Sequence, residues 1–165
     1  HRFEQGAVLV GIQNEDELSA AIRRLREVAG SLGLTGARVL IQRTLVGREL
    51  IYGLERDPSF GPVAMFGIGG TFVEALRDVA FAVGPMTRAH AERTVRSIRA
   101  FRLLEAFRGQ AKVDLSALVR TLQAVGQLGT DLPELREIDL NPVIADARGA
   151  AVVDILMRFQ PVGYG

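Results

Sequence analysis

The sequence predicts an α+β fold in which a mixed sheet carries helices packed on one side. Three features of the chain predict it. Between Glu49 and Arg56, Leu50, Tyr52 and Leu54 alternate with Glu49, Ile51, Gly53 and Glu55, the period of a strand with two different faces. Apolar residues recur at helical spacing in two regions, 18–32 and 87–129. Short apolar runs punctuated by glycine and proline fill most of the remainder, as strands and their turns do.

Taken in order, the apolar run Gly6–Ile12 predicts a buried strand. Asn14 then offers an N-cap, and Glu17 three residues later completes a capping-box pattern. Leu18, Ala21, Ile22, Leu25, Val28, Ala29 and Leu32 line one face of the following helix, which Gly33 ends. Arg23, Arg24 and Arg26 fall on its solvated face. Ala37–Thr44 predicts the next strand, giving a βαβ-like opening. After the strand Glu49–Arg56, Asp57–Pro62 reads as a loop and Val63–Phe66 as a strand. Beyond Gly67-Ile68-Gly69-Gly70, two short strands are expected at Phe72–Leu76 and Val79–Val83. Phe60, Phe66, Phe72 and Phe81 read as core. Thr87 caps a helix with Ala91, Val95, Ile98 and Phe101 on one face. Asp114 caps another that turns Leu115, Leu118, Val119, Leu122 and Val125 inward. Glu137–Ala145 and Ala150–Phe159 are the closing strand pair, and Pro161–Gly165 reads as the start of a linker.

Composition narrows the function. The 165 residues suffice for one compact domain or two small lobes, and 48% hydrophobic with 24% charged residues is an ordinary globular balance. A net charge of +1 argues against a nucleic-acid partner or a polybasic membrane surface. With no cysteine, disulfides, thiol catalysis and zinc–thiolate sites are excluded, which fits a cytoplasmic protein. No apolar run approaches a membrane span, and the opening residues do not read as a signal peptide. The chain begins on His1 rather than Met and reads as an excised piece. Of its 20 basic residues only Lys112 is a lysine, so a lysine on a phosphate must be Lys112 or lie outside this chain. The two histidines, His1 and His90, form no Ser/His/Asp layout, and His90 sits in the first turn of a helix as a surface residue would.

The strongest chemical pattern is in the closing strand pair. Glu137, Asp139 and Asn141 project from one face of a strand, and Ile138 and Leu140 from the other. Closing the hairpin at Asp146–Gly149 pairs 145 with 150, 143 with 152 and 141 with 154. Asn141 and Asp154 then oppose each other with Cβ atoms about 5 Å apart, and Asp139 lies on the diagonal. Two carboxylates and an amide oxygen are hard donors of the kind Mg²⁺ takes, leaving room for phosphates and water. The competing reading is a turn at Asn141-Pro142 with Asp154 as an exposed strand residue. Gly67-Ile68-Gly69-Gly70 offers either a backbone nest for an anion or a tight turn between strands. Gln42 and Glu49 are polar where strands could line a purine and ribose cleft, or else lie on a solvated face. A Walker-type phosphate loop and the Gly-x-Gly-x-x-Gly of dinucleotide folds are both missing.

Long stretches of the chain resemble the ATP-grasp domain of NDP-forming acyl-CoA synthetases, relatives of the succinyl-CoA synthetase β subunit. The resemblance is carried by GRELIYGLERDPSFGPVAMFGIGGTFVEALRDVAF, then LLEAFRG, EIDLNPVI and VVDILMR in the family's order, with HRFEQGAVLVGI ahead of them. It implies most of an ATP-grasp fold lacking its N-terminal part, over residues 1–160 with 161–165 as tail. It implies ATP or ADP and Mg²⁺ as cofactors, with Asn141 and Asp154 as metal ligands and Asp139 beside the transferred phosphoryl group. It further implies Gln42 and Leu45 at the adenine, Glu49 near the ribose, and Gly69 and Gly70 in the glycine-rich segment. His1, Arg2 and Phe3 would lie near the phosphates. Partners would be CoA-binding and phosphohistidine-bearing ligase domains, in the same chain or a separate subunit. The implied activity is that of an ADP-forming acid–CoA ligase, which the isolated chain would not perform alone.

The sequence also departs from that pattern. Gly6-Ala7 replaces Gly-Gly, Arg2 stands where lysine is common, and Asp154-Ile155-Leu156 replaces Asp-Ala-Arg. The family's phosphate-binding lysine lies ahead of this segment, and Lys112 does not match it. Neither histidine matches the phosphohistidine. Similar modules also sit as regulatory parts of bacterial protein lysine acetyltransferases, which is the alternative function. A scaffold that has lost nucleotide binding is the third.

Overall fold

The computed structural model describes residues 6–70, 78–106 and 111–160. The expected strand Phe72–Leu76 lies outside the described residues. The chain divides into two compact units, His1–Leu45 and Val46–Gly165.

The first unit is built on helix α1, Glu15–Ser31. Asn14 caps it as expected, its side chain accepting from the Glu17 N–H at 2.9 Å. Glu17 returns the favour one residue further out than a standard capping box, accepting from the Gln13 N–H at 2.8 Å and from Asn14 Nδ2 at 2.9 Å. The two strands expected on either side of α1 do not form among the described residues. Gly11, at φ 79°, breaks the run Gly6–Ile12, and Ala37–Thr44 joins no ladder. An apolar run becomes a strand only where a neighbour takes up its N–H and C=O groups.

The second unit is a six-stranded sheet in the order β3-β2-β1-β4-β5, with β6 also paired to β4. Its strands are β1 (Arg48–Asp57), β2 (Gly61–Ile68), β3 (Val79–Val83), β4 (Leu135–Asp146), β5 (Gly149–Val152) and β6 (Leu156–Phe159). Every ladder among the described residues is antiparallel. The β1–β2 turn is held by Asp57, whose Oδ1 accepts from the Ser59 and Phe60 N–H groups at 2.7 and 2.9 Å. Gly61, at φ 76°, closes it in a conformation that suits glycine.

Helices α2 (Arg88–Ser97) and α3 (Leu115–Asp131) cover one face of this sheet. Thr87 and Asp114 cap them as the sequence predicts. A 3₁₀ helix, Arg99–Leu104, follows α2, and Asp78 accepts from its first two N–H groups at 2.8 and 2.7 Å. Leu50, Tyr52, Leu54, Phe66, Ile138, Leu140 and Val143 point from the sheet into one core with Ala91, Val95, Leu118, Leu122 and Val125 of the helices. Burial pushes the Tyr52 hydroxyl well above its ordinary pKa, so it stays protonated and donates to the Leu118 carbonyl at 3.2 Å. Two of the phenylalanines expected in this core are elsewhere. Phe60 stands on the tip of the β1–β2 turn and Phe81 on the uncovered face of edge strand β3, and both are exposed.

Where the segment leading into α2 crosses α3, backbone meets backbone. A Cβ on Gly84 would lie 2.6 Å from the Gly126 oxygen, whereas one on Gly126 would meet first the mobile end of Met86, at 2.7 Å. Gly84→Ala should therefore lower stability by about 1–3 kcal/mol, and Gly126→Ala by clearly less. Urea unfolding of both variants checks this, and equal losses would remove the backbone-contact explanation. Among the described residues no helix is long and apolar enough to cross a membrane.

Candidate functional site

The face of the sheet away from α2 and α3 carries the polar residues the sequence singled out. Along β4, Ile138 and Leu140 are buried, then Val143 and Ala145; the phase shifts by one at Asn141–Pro142. The register shows why: Tyr52 pairs with Leu140 but Leu50 with Val143, so two residues of β4 oppose Ile51 alone. This is a β-bulge, a device that re-aims a side chain at the point where it occurs. Glu137, Asp139 and Asn141 thus keep the uncovered face, while the rest of the strand resumes its packing.

The far side of β4 is paired by two short strands. The sequence predicts one strand over Ala150–Phe159; the structure breaks it at residues 153–155. Pairs 145–150 and 143–152 form as expected, but Asn141 and Asp154 are not a ladder pair. Proline has no N–H to give, so the ladder lapses beside Pro142. The register nevertheless holds across the gap, from Val143↔Val152 to Asp139↔Leu156, and it sets Asn141 level with Asp154. The Val153 N–H donates to the Pro142 carbonyl at 3.0 Å and bridges the interruption.

The electrostatics agree with this placement. Asp139 is half-buried, and burial first, then the charges of Glu137 and Asp154, push its carboxyl above the ordinary value. Carboxylates that repel one another in this way favour a cation between them. Among the described residues no three or more His, Cys, Asp or Glu side chains close a metal cage. Asp154, Asn141 and neighbouring Asp139 would offer an open set of donors instead, all oxygen. That fits Mg²⁺, which takes one or two carboxylates and completes its shell with water and phosphate.

The glycine segment has a different local role from an anion nest. The Gly69 N–H is already given to the Glu49 carbonyl at 2.7 Å. A Cβ on Gly69 would lie 2.8 Å from the Glu49 carbonyl carbon, so glycine is there for close approach to β1. Gly70 is exposed, and a Cβ on it would come 3.0 Å from Glu49 Oε2. Glu49, Gly69 and Gly70 are therefore one local cluster at the start of β1. Gln42, exposed, and Leu45, half-buried, belong to the first unit. His1, Arg2 and Phe3 lie outside the described residues. One group on the uncovered face escaped sequence reasoning: Arg158 pairs with Glu137 at 3.1 Å. Strand alternation from Asp154 through Leu156 to Arg158 was the available signal.

The sheet is thus backed by helices on one face and carries Asp139, Asn141 and Asp154 at neighbouring register positions on the other. The chain belongs to the ATP-grasp family, whose ATP-grasp domain pattern matches residues 1–159. It is similar to the β subunit of ADP-forming acetate–CoA ligase I of Pyrococcus furiosus, with 41% identity over 162 residues that cover 95% of this chain and 69% of that subunit. It is 40% identical to ADP-forming acetate–CoA ligase I of Archaeoglobus fulgidus, where the match covers 95% of this chain but 23% of that protein. Among solved structures, it resembles the dinucleotide-forming acetyl-coenzyme A synthetase 1 of Ca. Korarchaeum cryptofilum at a TM-score of 0.86 and 40% identity, over 97% of this chain and 71% of that one. That protein was solved with coenzyme A and Mg-AMPPCP, its phosphohistidine segment pointing towards the nucleotide binding site.

Proposed function

We propose that this chain is the nucleotide- and Mg²⁺-binding ATP-grasp portion of an ADP-forming acid–CoA ligase of the acetyl-CoA synthetase kind. The whole enzyme would interconvert acyl-CoA, ADP and phosphate with acid, CoA and ATP. Residues 1–160 form the partial ATP-grasp domain and 161–165 a tail. CoA-binding and phosphohistidine-bearing domains, in the same chain or another subunit, complete the catalyst. A cytoplasmic location goes with reactants such as ADP and CoA. The observation that carries the reading is the unbroken register across the β5–β6 gap, which levels Asn141 with Asp154 beside Asp139.

In this reading Asn141 and Asp154 would hold Mg²⁺, which when bound would supply positive charge against the nucleotide phosphates. The bulge at Asn141–Pro142 keeps Asn141 on the uncovered face, where the half-buried Asp139 would border the phosphoryl group. Glu49 would offer a carboxylate to ribose hydroxyls, with Gly70 beside it placing no side chain against that carboxylate. The resemblance also implies adenine contacts for Gln42 and Leu45 and phosphate contacts for His1–Phe3. The regulatory acetyltransferase module has no support from the relatives above, which are acid–CoA ligases.

Metal dependence tests the reading. Calorimetry of ADP on the complete protein should show binding with Mg²⁺ and a loss of roughly tenfold or more when EDTA is in excess. Equal affinity in both conditions would sink the metal site.

A further inference from the structure

The uncovered face of the sheet carries its charges in rows set by the ladders. Across β1 and β4, Glu55 lies opposite Glu137 and Gly53 opposite Asp139. Across β4 and β6, Glu137 lies opposite Arg158 and Asp139 opposite Leu156. Directly opposed residues of an antiparallel pair project from the same face. One row is therefore Glu55, Glu137 and Arg158, and the next is Gly53, Asp139 and Leu156. Glu55 and Glu137 are like charges set side by side, an arrangement that repels. Arg158 Nη1 answers it with an ion pair of 3.1 Å to Glu137 Oε2.

That pair is open to solvent, its side chains 66% and 39% exposed, and such a pair adds little to stability. Its charge matters more than its strength. A nucleoside diphosphate or triphosphate brings several negative charges to a face that already holds Glu137, Asp139 and Asp154. One divalent ion offsets only part of this. The position opposite Asp139 supplies no cation, because Leu156 stands there. Arg136 is exposed at the register shift between Leu135 and Glu137 and makes no ion pair among the described residues. Arg158 is the cation that the ladder itself sets against the acidic row.

We propose that Arg158 is a positioning residue of the nucleotide site: by holding and neutralising Glu137, it lets a Mg²⁺–polyphosphate approach Asp139 and Asp154. The inference rests on the nucleotide reading above. Arg158 acts through Glu137 and not on the reacting atoms.

Calorimetry of MgADP on the complete protein tests it. Arg158→Ala should weaken binding roughly three- to tenfold at low salt, with the loss shrinking as salt rises. Its thermal unfolding should stay close to that of the unsubstituted protein, since an exposed pair is removed. Arg158→Lys should recover most of the affinity, because a single N–O contact can be remade by an ammonium. Glu137→Gln combined with Arg158→Ala should return to within about twofold of the starting affinity, as expected for two coupled residues. Arg136→Ala removes an equal charge without the pairing and should lose less. Unchanged binding in Arg158→Ala, a double variant as weak as Arg158→Ala, or an equal loss in Arg136→Ala would each overturn the inference alone. No MgADP binding by the unsubstituted protein would overturn the nucleotide reading, and this inference with it.

Discussion

Asp154→Ala in the complete protein should weaken MgADP binding by roughly ten- to a hundredfold while leaving the fold intact. Asp154 is exposed in the gap between β5 and β6, and among the described residues its only hydrogen-bonded neighbour is the Ile155 N–H, at 3.0 Å. Removing the carboxylate therefore takes little from the packing. It also takes away the least of the three causes that raise the Asp139 carboxyl, leaving burial and Glu137 to hold it above its ordinary value. The variant should therefore draw less from a bound cation than the parent does. A second measurement follows from linkage: an ion that binds only the folded state raises the unfolding temperature. Mg²⁺ with ADP should raise it in the parent and much less in Asp154→Ala. Asp154→Asn, which keeps an oxygen donor without the charge, should fall between the two. Calorimetry showing Asp154→Ala with parental affinity would remove this residue from the metal site.

How much of this site the sequence disclosed depends on how local the cause was. Asn14, Thr87 and Asp114 cap their helices as expected, because capping needs one side chain and the N–H groups of the next turn. The hairpin pairs 145–150 and 143–152 were legible because a tight loop fixes register. The bulge at Asn141–Pro142 was not, since its register belongs to β1, some ninety residues earlier, as much as to β4. Phe60 and Phe81 read as core because size and hydrophobicity say nothing about whether a residue falls on a turn tip, as Phe60 does, or on an uncovered strand face, as Phe81 does. The run Ala37–Thr44 has strand composition, yet a ladder needs a second strand and composition cannot supply one. For Gly67-Ile68-Gly69-Gly70 the sequence left an anion nest and a tight turn both open, and the Gly69 N–H, already spent on Glu49, weighs against the nest. In each case what the sequence withheld was the identity of a distant neighbour.

Arg56 is the clearest example, and it yields the largest expected loss of stability. Its even position in β1 puts it on the inner face after Leu50, Tyr52 and Leu54, where a charge would be unwelcome without partners. The partners are carbonyls at the end of α3 and along the turn that leads from it to the first residue of β4. Arg56 Nη2 donates to the oxygens of Gly129 and, at 3.1 Å, Leu132, and Nε donates to Leu135 at 3.2 Å. Helix α3 has no basic residue in its own last turn, so β1 supplies the positive charge that its C-terminal dipole favours. The guanidinium is suited to this because its planar fork serves several acceptors at once. Arg56→Met keeps the apolar stem and removes the donors, and should cost about 2–4 kcal/mol through unmet carbonyls. Arg56→Lys keeps the charge but cannot reproduce the fork, and should recover only part of that loss. Urea unfolding of the three forms decides it. A loss below about 0.5 kcal/mol in Arg56→Met, the range of ordinary surface changes, would mean that water satisfies those carbonyls as well as Arg56 does.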